Sequence, residues 1–136
     1  METSYILADS DFFIARLEKN DSHHARANAL FQKLKHNQHI LVTTSFVRVE
    51  AATTISCKFG QSLAKEFLAK TSIFSKLPVS DEIIQQATHL FMEQSERCSS
   101  MVDCLNVCVV RHYKLPAILS FDSFYGEHHV SYYQEV

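Results

Sequence analysis

Two aspartates stand at the ends of short apolar runs of strand length: Asp9 follows Ser4-Tyr-Ile-Leu-Ala8, and Asp122 follows Ala117-Ile-Leu-Ser-Phe121. In open parallel sheets, ligands collect beyond the carboxyl ends of strands. Two carboxylates in equivalent positions of neighbouring strands would therefore face one crevice. Glu50 is a third candidate. From Thr44 to Cys57 the only charged residues are Arg48 and Glu50, and at helical spacing Glu50 shares a face with Phe46, Val49 and Thr53. Its carboxylate is expected to point where apolar residues point, and such a group is normally neutralised, paired or bound to a metal. The plainer alternative turns Glu50 to solvent or pairs it with a nearby base. Asp103 is the fourth acid and the only charge between Arg97 and Arg111. Its plain reading is a helix cap, because Ser100-x-x-Asp103 has the form of a capping box and a first-turn acid suits the helix dipole.

Together the four acids define a chemistry. Two unit charges 4 Å apart repel by about 4 kcal/mol at an effective dielectric near 20, so one crevice holds four carboxylates only with protons or cations. An all-oxygen ligand set selects Mg²⁺ or Mn²⁺ over zinc. The natural reaction for that combination is metal-assisted hydrolysis of a phosphodiester, in which the metal activates water and neutralises phosphate charge. The chain's formal net charge is −2, whereas modules that hold nucleic acid by their own electrostatics are usually strongly basic. A cation would remove that difficulty. A binding module whose acidic crevice docks a basic peptide is the alternative from another class.

The elements that must carry these acids follow from composition and periodicity. The chain has 136 residues, 46% hydrophobic and 21% charged, with only two Gly and two Pro. That length suits one domain over 1–136, and the scarcity of turn residues argues against an all-β sandwich. A helix is expected from Asp11 to about Lys19. A second places Ala27, Leu30, Phe31 and Leu34 at helical spacing. His39–Thr43 reads as a strand. Thr44 or Ser45 caps a helix to about Lys58 that Gly60 closes, and Ser62–Ala69 forms another. Ile73–Val79 suggests a short strand, Ser80 caps a long helix, and Ser99 or Ser100 starts one that ends before Pro116. Val130–Val136 is expected to form a last edge strand. Short strands alternating with helices predict crossover units, hence a three-layer α/β/α sandwich around a short, mostly parallel sheet.

The start, METSYILADSDFF, has no basic region leading into an apolar stretch, and no apolar run approaches a membrane span. The expectation is a soluble cytoplasmic protein whose four cysteines (57, 98, 104 and 108) are reduced, buried thiols.

The strings Ile6-Leu-Ala-Asp9-Ser-Asp11-Phe-Phe, Thr44-Ser-Phe-Val-Arg-Val-Glu50, Asp103-Cys-Leu-Asn and Leu115-Pro-Ala-Ile-Leu-Ser120-Phe-Asp122-Ser-Phe together resemble the PIN domain. More narrowly, they resemble the VapC-type toxins of toxin–antitoxin pairs. The resemblance runs from about Tyr5 to Phe124 in the expected order. It implies an α/β/α fold and a Mg²⁺- or Mn²⁺-dependent endoribonuclease. Carried over by position, Asp9 and Asp103 would be the main metal ligands, with Glu50 binding directly or through water. Asp122 matches the acid of the family's T-x-D-x-x-F motif, where its role is outer-shell or second-metal. Ser120 replaces the motif's Thr and keeps a hydroxyl that can orient water or a carboxylate. Asp11 lies where the family accepts Asp, Asn or Ser. The resemblance further implies a homodimer and a small antitoxin covering the crevice; a related nuclease acting in RNA processing or repair outside a toxin pair is the alternative.

Other features carry less. His23-His24 and His128-His129 are adjacent pairs whose side chains diverge by about 100° on a helix, so solvated histidines are expected. Cys104 and Cys108 read as core thiols, and Phe12, Phe13, Phe121 and Phe124 as core rather than base-stacking rings. Arg16 and Arg48 are candidates for phosphate contacts.

Overall fold

The computed structural model describes residues 3–95 and 100–134. Its elements run β1 (Tyr5–Ala8), α1 (Ser10–Leu17), α2 (His24–His36), β2 (Ile40–Thr43), α3 (Ser45–Phe59), α4 (Gln61–Thr71), β3 (Ser75–Lys76), α5 (Asp81–Glu93), α6 (Met101–Tyr113), β4 (Ile118–Leu119) and α7 (Phe124–Glu127). The four strands form one sheet in the order β3-β2-β1-β4, every pair parallel. The α/β/α expectation holds.

Strand side chains alternate between faces with period two, and here both faces are apolar. Ile6, Ala8, Leu41 and Leu119 join a core with Phe12 and Phe13 of α1, Leu30 and Leu34 of α2, Val47, Ala51 and Ile55 of α3 and Phe67 of α4. Leu7, Val42 and Ile118 face the other way, onto Ile83 and Ala87 of α5, Cys104, Val107 and Cys108 of α6, and Tyr125 of α7. All eight residues from Asp103 to Val110 are buried, as befits a helix covered on every side.

Two of the strand-to-helix switches carry side-chain caps. Asp9 caps α1 by accepting from the Ser10 amide, and Thr44 caps α3 by accepting from the Val47 amide. The backbone of Gly60 at φ +103° ends α3 and begins α4, a conformation that favours glycine.

The sheet differs from expectation at its edges. β3 shrinks to two residues, and β4 to Ile118–Leu119. Residues 130–134 form no strand: a single parallel bridge joins Tyr132 to Ile118, with Ile118 N–H donating to Ser131 O and Tyr133 N–H to Ile118 O. With β4 only two residues long, there is no ladder for a longer tail strand to extend. Glu135, Val136, Cys98 and the alternative cap Ser99 lie outside the described residues. Cys104 and Cys108 are buried free thiols as expected, but Cys57 is exposed. No helix among the described residues is long and apolar enough to cross a membrane.

Candidate active site

β1 is followed in the chain by β2 and β3 on one side of it and by β4 on the other. The β1/β4 gap is therefore the switch point of the sheet, where a crevice opens beyond the strand ends. Asp9 leaves β1 on one side of it, and Ser120, Phe121 and Asp122 leave β4 on the other. The Asp9 amide donates to Leu119 O at 3.0 Å, holding the two exits together.

Asp9 is 3% exposed, and both oxygens of its carboxylate have hydrogen-bond partners. Oδ1 accepts from Ser10 N (2.7 Å) and Asn106 Nδ2 (3.1 Å), while Oδ2 accepts from Tyr125 OH (2.8 Å) and Ser120 Oγ (3.2 Å). The two donors on Oδ1 serve Asp9 alone, whereas the single protons of Ser120 and Tyr125 on Oδ2 are shared with Asp11 and Asp103. Asp103 comes in from the first turn of α6. Its Oδ2 accepts from the Ser100 amide at 3.2 Å and its own amide donates to Ser100 Oγ at 3.0 Å, completing the capping box. Its Oδ1 lies 3.2 Å from the same Tyr125 hydroxyl, whose single proton serves one of the two carboxylates at a time. The cap reading and the cluster reading of Asp103 are both true, one oxygen each.

The remaining acids attach through hydroxyls or turns. Asp11 Oδ2 accepts from the Phe121 amide (2.8 Å) and Ser120 Oγ (3.1 Å), and its Oδ1 is buried without a partner. Glu50 Oε1 accepts from Ser10 Oγ at 2.6 Å. Asp122 is exposed at the rim, where its Oδ1 accepts from the Phe124 amide and sets the turn into α7. Among the described residues no three Asp, Glu, His or Cys side chains converge closely enough to hold a metal ion as they stand. The hydroxyl of Tyr125 sits between the two carboxylates best placed to begin such a set.

Burial and mutual repulsion raise Asp9, Asp11, Glu50 and Asp103. Burial, then the neighbouring Asp11 charge, pushes Asp9 up to about 8, and burial pushes Asp11 to about 6. Glu50 is raised by burial and by the charge of Asp103; Asp103 is raised by burial and by the charge of Asp122. The Tyr125 phenol is pushed up by burial and by Asp9 and Asp103, so it stays a proton donor. A carboxylate set that resists ionisation is one that a divalent cation would stabilise. With its all-oxygen donors, and an unpartnered Asp11 oxygen beside them, the set fits a hard cation.

Several sequence expectations need correction. Glu50 does not lie on an apolar, inward face: Phe46 and Val49 are 39% and 66% exposed, Thr53 is exposed as well, and α3 packs through Val47, Ala51 and Ile55 instead. Glu50 is half-buried at the edge between those faces. Arg16 and Arg48 are committed elsewhere. Arg16 is half-buried, with its guanidinium 3.7 Å from the centroid of Phe31 and its Nε donating to Asn28 Oδ1 at 3.4 Å. Arg48 donates to Thr71 Oγ1 and Leu68 O, tying α3 to α4. Nor are His23 and His24 simply solvated: His23 stacks on Phe121 at 4.3 Å and His24 Nδ1 meets Ala15 O at 2.7 Å. Phe12, Phe13 and Phe124 are core residues, whereas Phe121 is half-buried.

Sequence reading missed Tyr125 and Asn106. Counting the six positions of T-x-D-x-x-F from Ser120 lands on Tyr125, one beyond Phe124, so the chain adds a hydroxyl where the motif has a bare ring. Asn106 is 0% exposed and donates to both Asp9 Oδ1 and Tyr125 OH. An amide in the otherwise apolar run from Leu105 to Val110 was the available signal.

The profile of the PIN-domain family matches residues 6–125, a span that contains every residue of the cluster. Among solved structures, the chain is similar to VapC20 of Mycobacterium tuberculosis, described as a sarcin–ricin loop cleaving toxin. The TM-score is 0.78 with 20% sequence identity, over 92% of this chain and 95% of that one; at that identity the likeness speaks for the fold. No curated protein sequence matches the chain.

Proposed function

Because this chain belongs to the PIN-domain family, we propose that it is a metal-dependent endoribonuclease, the toxin of a VapC-type toxin–antitoxin pair, working as one domain over 1–136. The observation that carries the reading is the sharing of one buried hydroxyl by Asp9 and Asp103 at the switch point of the sheet. The resemblance to a toxin that cleaves the sarcin–ricin loop favours RNA as the substrate. Soluble, cytoplasmic action as a homodimer, held in check by a small antitoxin, belongs to the same proposal.

Asp9, Asp103 and Glu50 would hold Mg²⁺ or Mn²⁺, which when bound supplies Lewis acidity and a lowered pKa for attacking water. The chain's own residues do the positioning. Ser10 and Asn106 fix Asp9 Oδ1, and Ser100 fixes Asp103 Oδ2, so each carboxylate keeps one oriented oxygen. Ser10 Oγ aims Glu50 toward the same crevice. Ser120 Oγ, between Asp9 and Asp11, has a single proton for two carboxylates and orients whichever is charged. Asp122 acts from the rim, as an outer acid or at a second metal.

The test is cleavage of mixed-sequence single-stranded RNA by the purified chain with Mn²⁺ or with chelator, beside Asp9→Asn purified identically. Metal-dependent cutting that is lost in Asp9→Asn is expected. Equal cutting by both preparations, or none with Mn²⁺ alongside no stabilisation of the fold by Mn²⁺, would refute the reading in favour of contamination or a docking module.

A further inference from the structure

A net-acidic nuclease still has to grip the phosphates on either side of the bond it cuts, and the two arginines suggested by sequence are committed to packing. The loop after β4 offers another. Ser120, Phe121, Asp122 and Ser123 form part of a cavity of about 240 Å³ together with Arg26, Tyr132 and Gln134. Arg26 is the one cation among those lining residues. It is exposed on α2, with no acidic partner among the described residues, and its guanidinium lies 5.5 Å from the centroid of Phe121.

Phe121 links this arginine to the acids. Its ring is stacked on His23 at 4.3 Å with an interplanar angle of 5°, and its amide donates to Asp11 at 2.8 Å. A guanidinium resting on a ring keeps its N–H edge free for the fork geometry that matches phosphate. Stacking by His23 covers one face of Phe121, so the aromatic surface left for a base is Tyr132. The Tyr132 hydroxyl is already used, accepting from Gly126 N at 2.9 Å and donating to Asp122 O; what it offers is its face. Gln134 supplies an amide that can donate or accept. Arg26 and Gln134 also border a second cavity of about 640 Å³ running along Ala25 and Ala29 of α2. The smaller cavity is below the roughly 300 Å³ at which drug-sized pockets begin, so it suits one unpaired nucleotide.

We infer that Arg26 is a substrate-binding residue that grips the RNA phosphate next to the scissile bond, with the attached nucleotide lodged between Tyr132 and Gln134. This deepens the ribonuclease reading and rests on it. Because the guanidinium binds phosphate and not a particular base, its effect is uniform across sequences and visible in the salt dependence of binding.

The experiment measures binding of a labelled single-stranded RNA of mixed sequence to Asp9→Asn and to Asp9→Asn carrying Arg26→Ala, over a series of salt concentrations. Steady-state cleavage by Arg26→Ala and Arg26→Lys in Mn²⁺ is measured alongside. Arg26→Ala is expected to raise KM about tenfold with kcat within about twofold and the melting temperature unchanged, as for an exposed side chain. The slope of log affinity against log salt should flatten by about 0.7, the value for one phosphate on a single strand, and Arg26→Lys should restore it. Arg16→Ala and Arg48→Ala should lower the melting temperature and leave the slope alone. An unchanged KM and slope in Arg26→Ala, with the unsubstituted chain cutting RNA normally, overturns the assignment of Arg26 and leaves the ribonuclease reading standing. A chain that neither binds nor cuts RNA in Mn²⁺ overturns both.

Discussion

Replacing Tyr125 by Phe, the ring the family motif carries at that position, removes one oxygen and leaves the packing of a fully buried side chain in place. The hydroxyl contacts Asp9 Oδ2 at 2.8 Å and Asp103 Oδ1 at 3.2 Å, which caps the separation of those oxygens at about 6 Å. Above about pH 8, where Asp9 is ionised, two charges at about 6 Å repel by about 3 kcal/mol at an effective dielectric near 20, and the bridging donor offsets part of that. Losing a hydrogen bond to a charged group costs about 1.5–3 kcal/mol, or a drop of roughly 5–10 °C in melting temperature for a chain of this size. The expected signature is conditional. In chelator, Tyr125→Phe melts lower by that amount; in saturating Mn²⁺ the deficit falls to less than half, because a cation between the carboxylates offsets the repulsion the hydroxyl had eased. Differential scanning fluorimetry of both proteins in both conditions reads this directly. An equal deficit with and without Mn²⁺ would show that Tyr125 is only a structural prop, and no deficit in chelator would refute the bridging argument altogether.

Asp103→Asn keeps an oxygen for the Ser100 amide but loses the charge, so cleavage should fall to background while the melting temperature in chelator stays level or rises; retained cleavage with lower stability would reduce Asp103 to a cap. The raised acids set a pH dependence. Asp9, pushed to about 8, and Asp11, pushed to about 6, stay protonated in the folded chain over a range where the unfolded chain has released those protons. Stability in chelator is therefore full below about pH 4 and is lost as pH rises through 6 and 8; urea midpoints at pH 5 and 8.5 should show the fall, and Mn²⁺ should flatten it. Ser10→Ala frees Glu50 from its 2.6 Å hydrogen bond and should weaken Mn²⁺ binding severalfold by calorimetry with under about 1 kcal/mol lost in stability.

Asp9 was legible because strand length and chain order locate carboxyl ends. The same reasoning chose Asp122, but β4 ends at Leu119, so Ser120, which entered only through the resemblance, takes the strand-end position and Asp122 lies at the rim. Asp103 was legible as an acid with two readings, and the direction of each oxygen shows that the cap leaves the other oxygen facing Tyr125. Glu50 was misplaced because Phe46 and Val49 look like core at helical spacing; which apolar stripe packs is decided by what α3 meets, namely α1 and α4, and not by α3 itself. Tyr125 was missed for the opposite reason, and Asn106, though it stands in Asp103-Cys-Leu-Asn, was given no role. Each reads as an ordinary buried residue until the tertiary fold puts a carboxylate beside it. Arg26 was passed over in favour of Arg16 and Arg48, since nothing in a single chain shows which guanidinium will be consumed by packing. The tail strand failed because pairing depends on the length of the neighbouring β4, which shrank to two residues.

The partners of Asp9 lie far along the chain: Asn106, Ser120 and Tyr125 are 97, 111 and 116 residues away. At a synthesis rate of about 5–20 residues per second, Asp9 leaves the ribosome roughly 6–23 s before Tyr125 does. Throughout that interval the growing chain carries its first acid but not the strand, helix turn or hydroxyl that complete the cluster. On the proposed reading such a chain would be inert while it is made, and its cutting site would be complete only once Tyr125 has been translated. Any truncation before Tyr125 should for the same reason yield a product without metal-dependent cleavage of RNA.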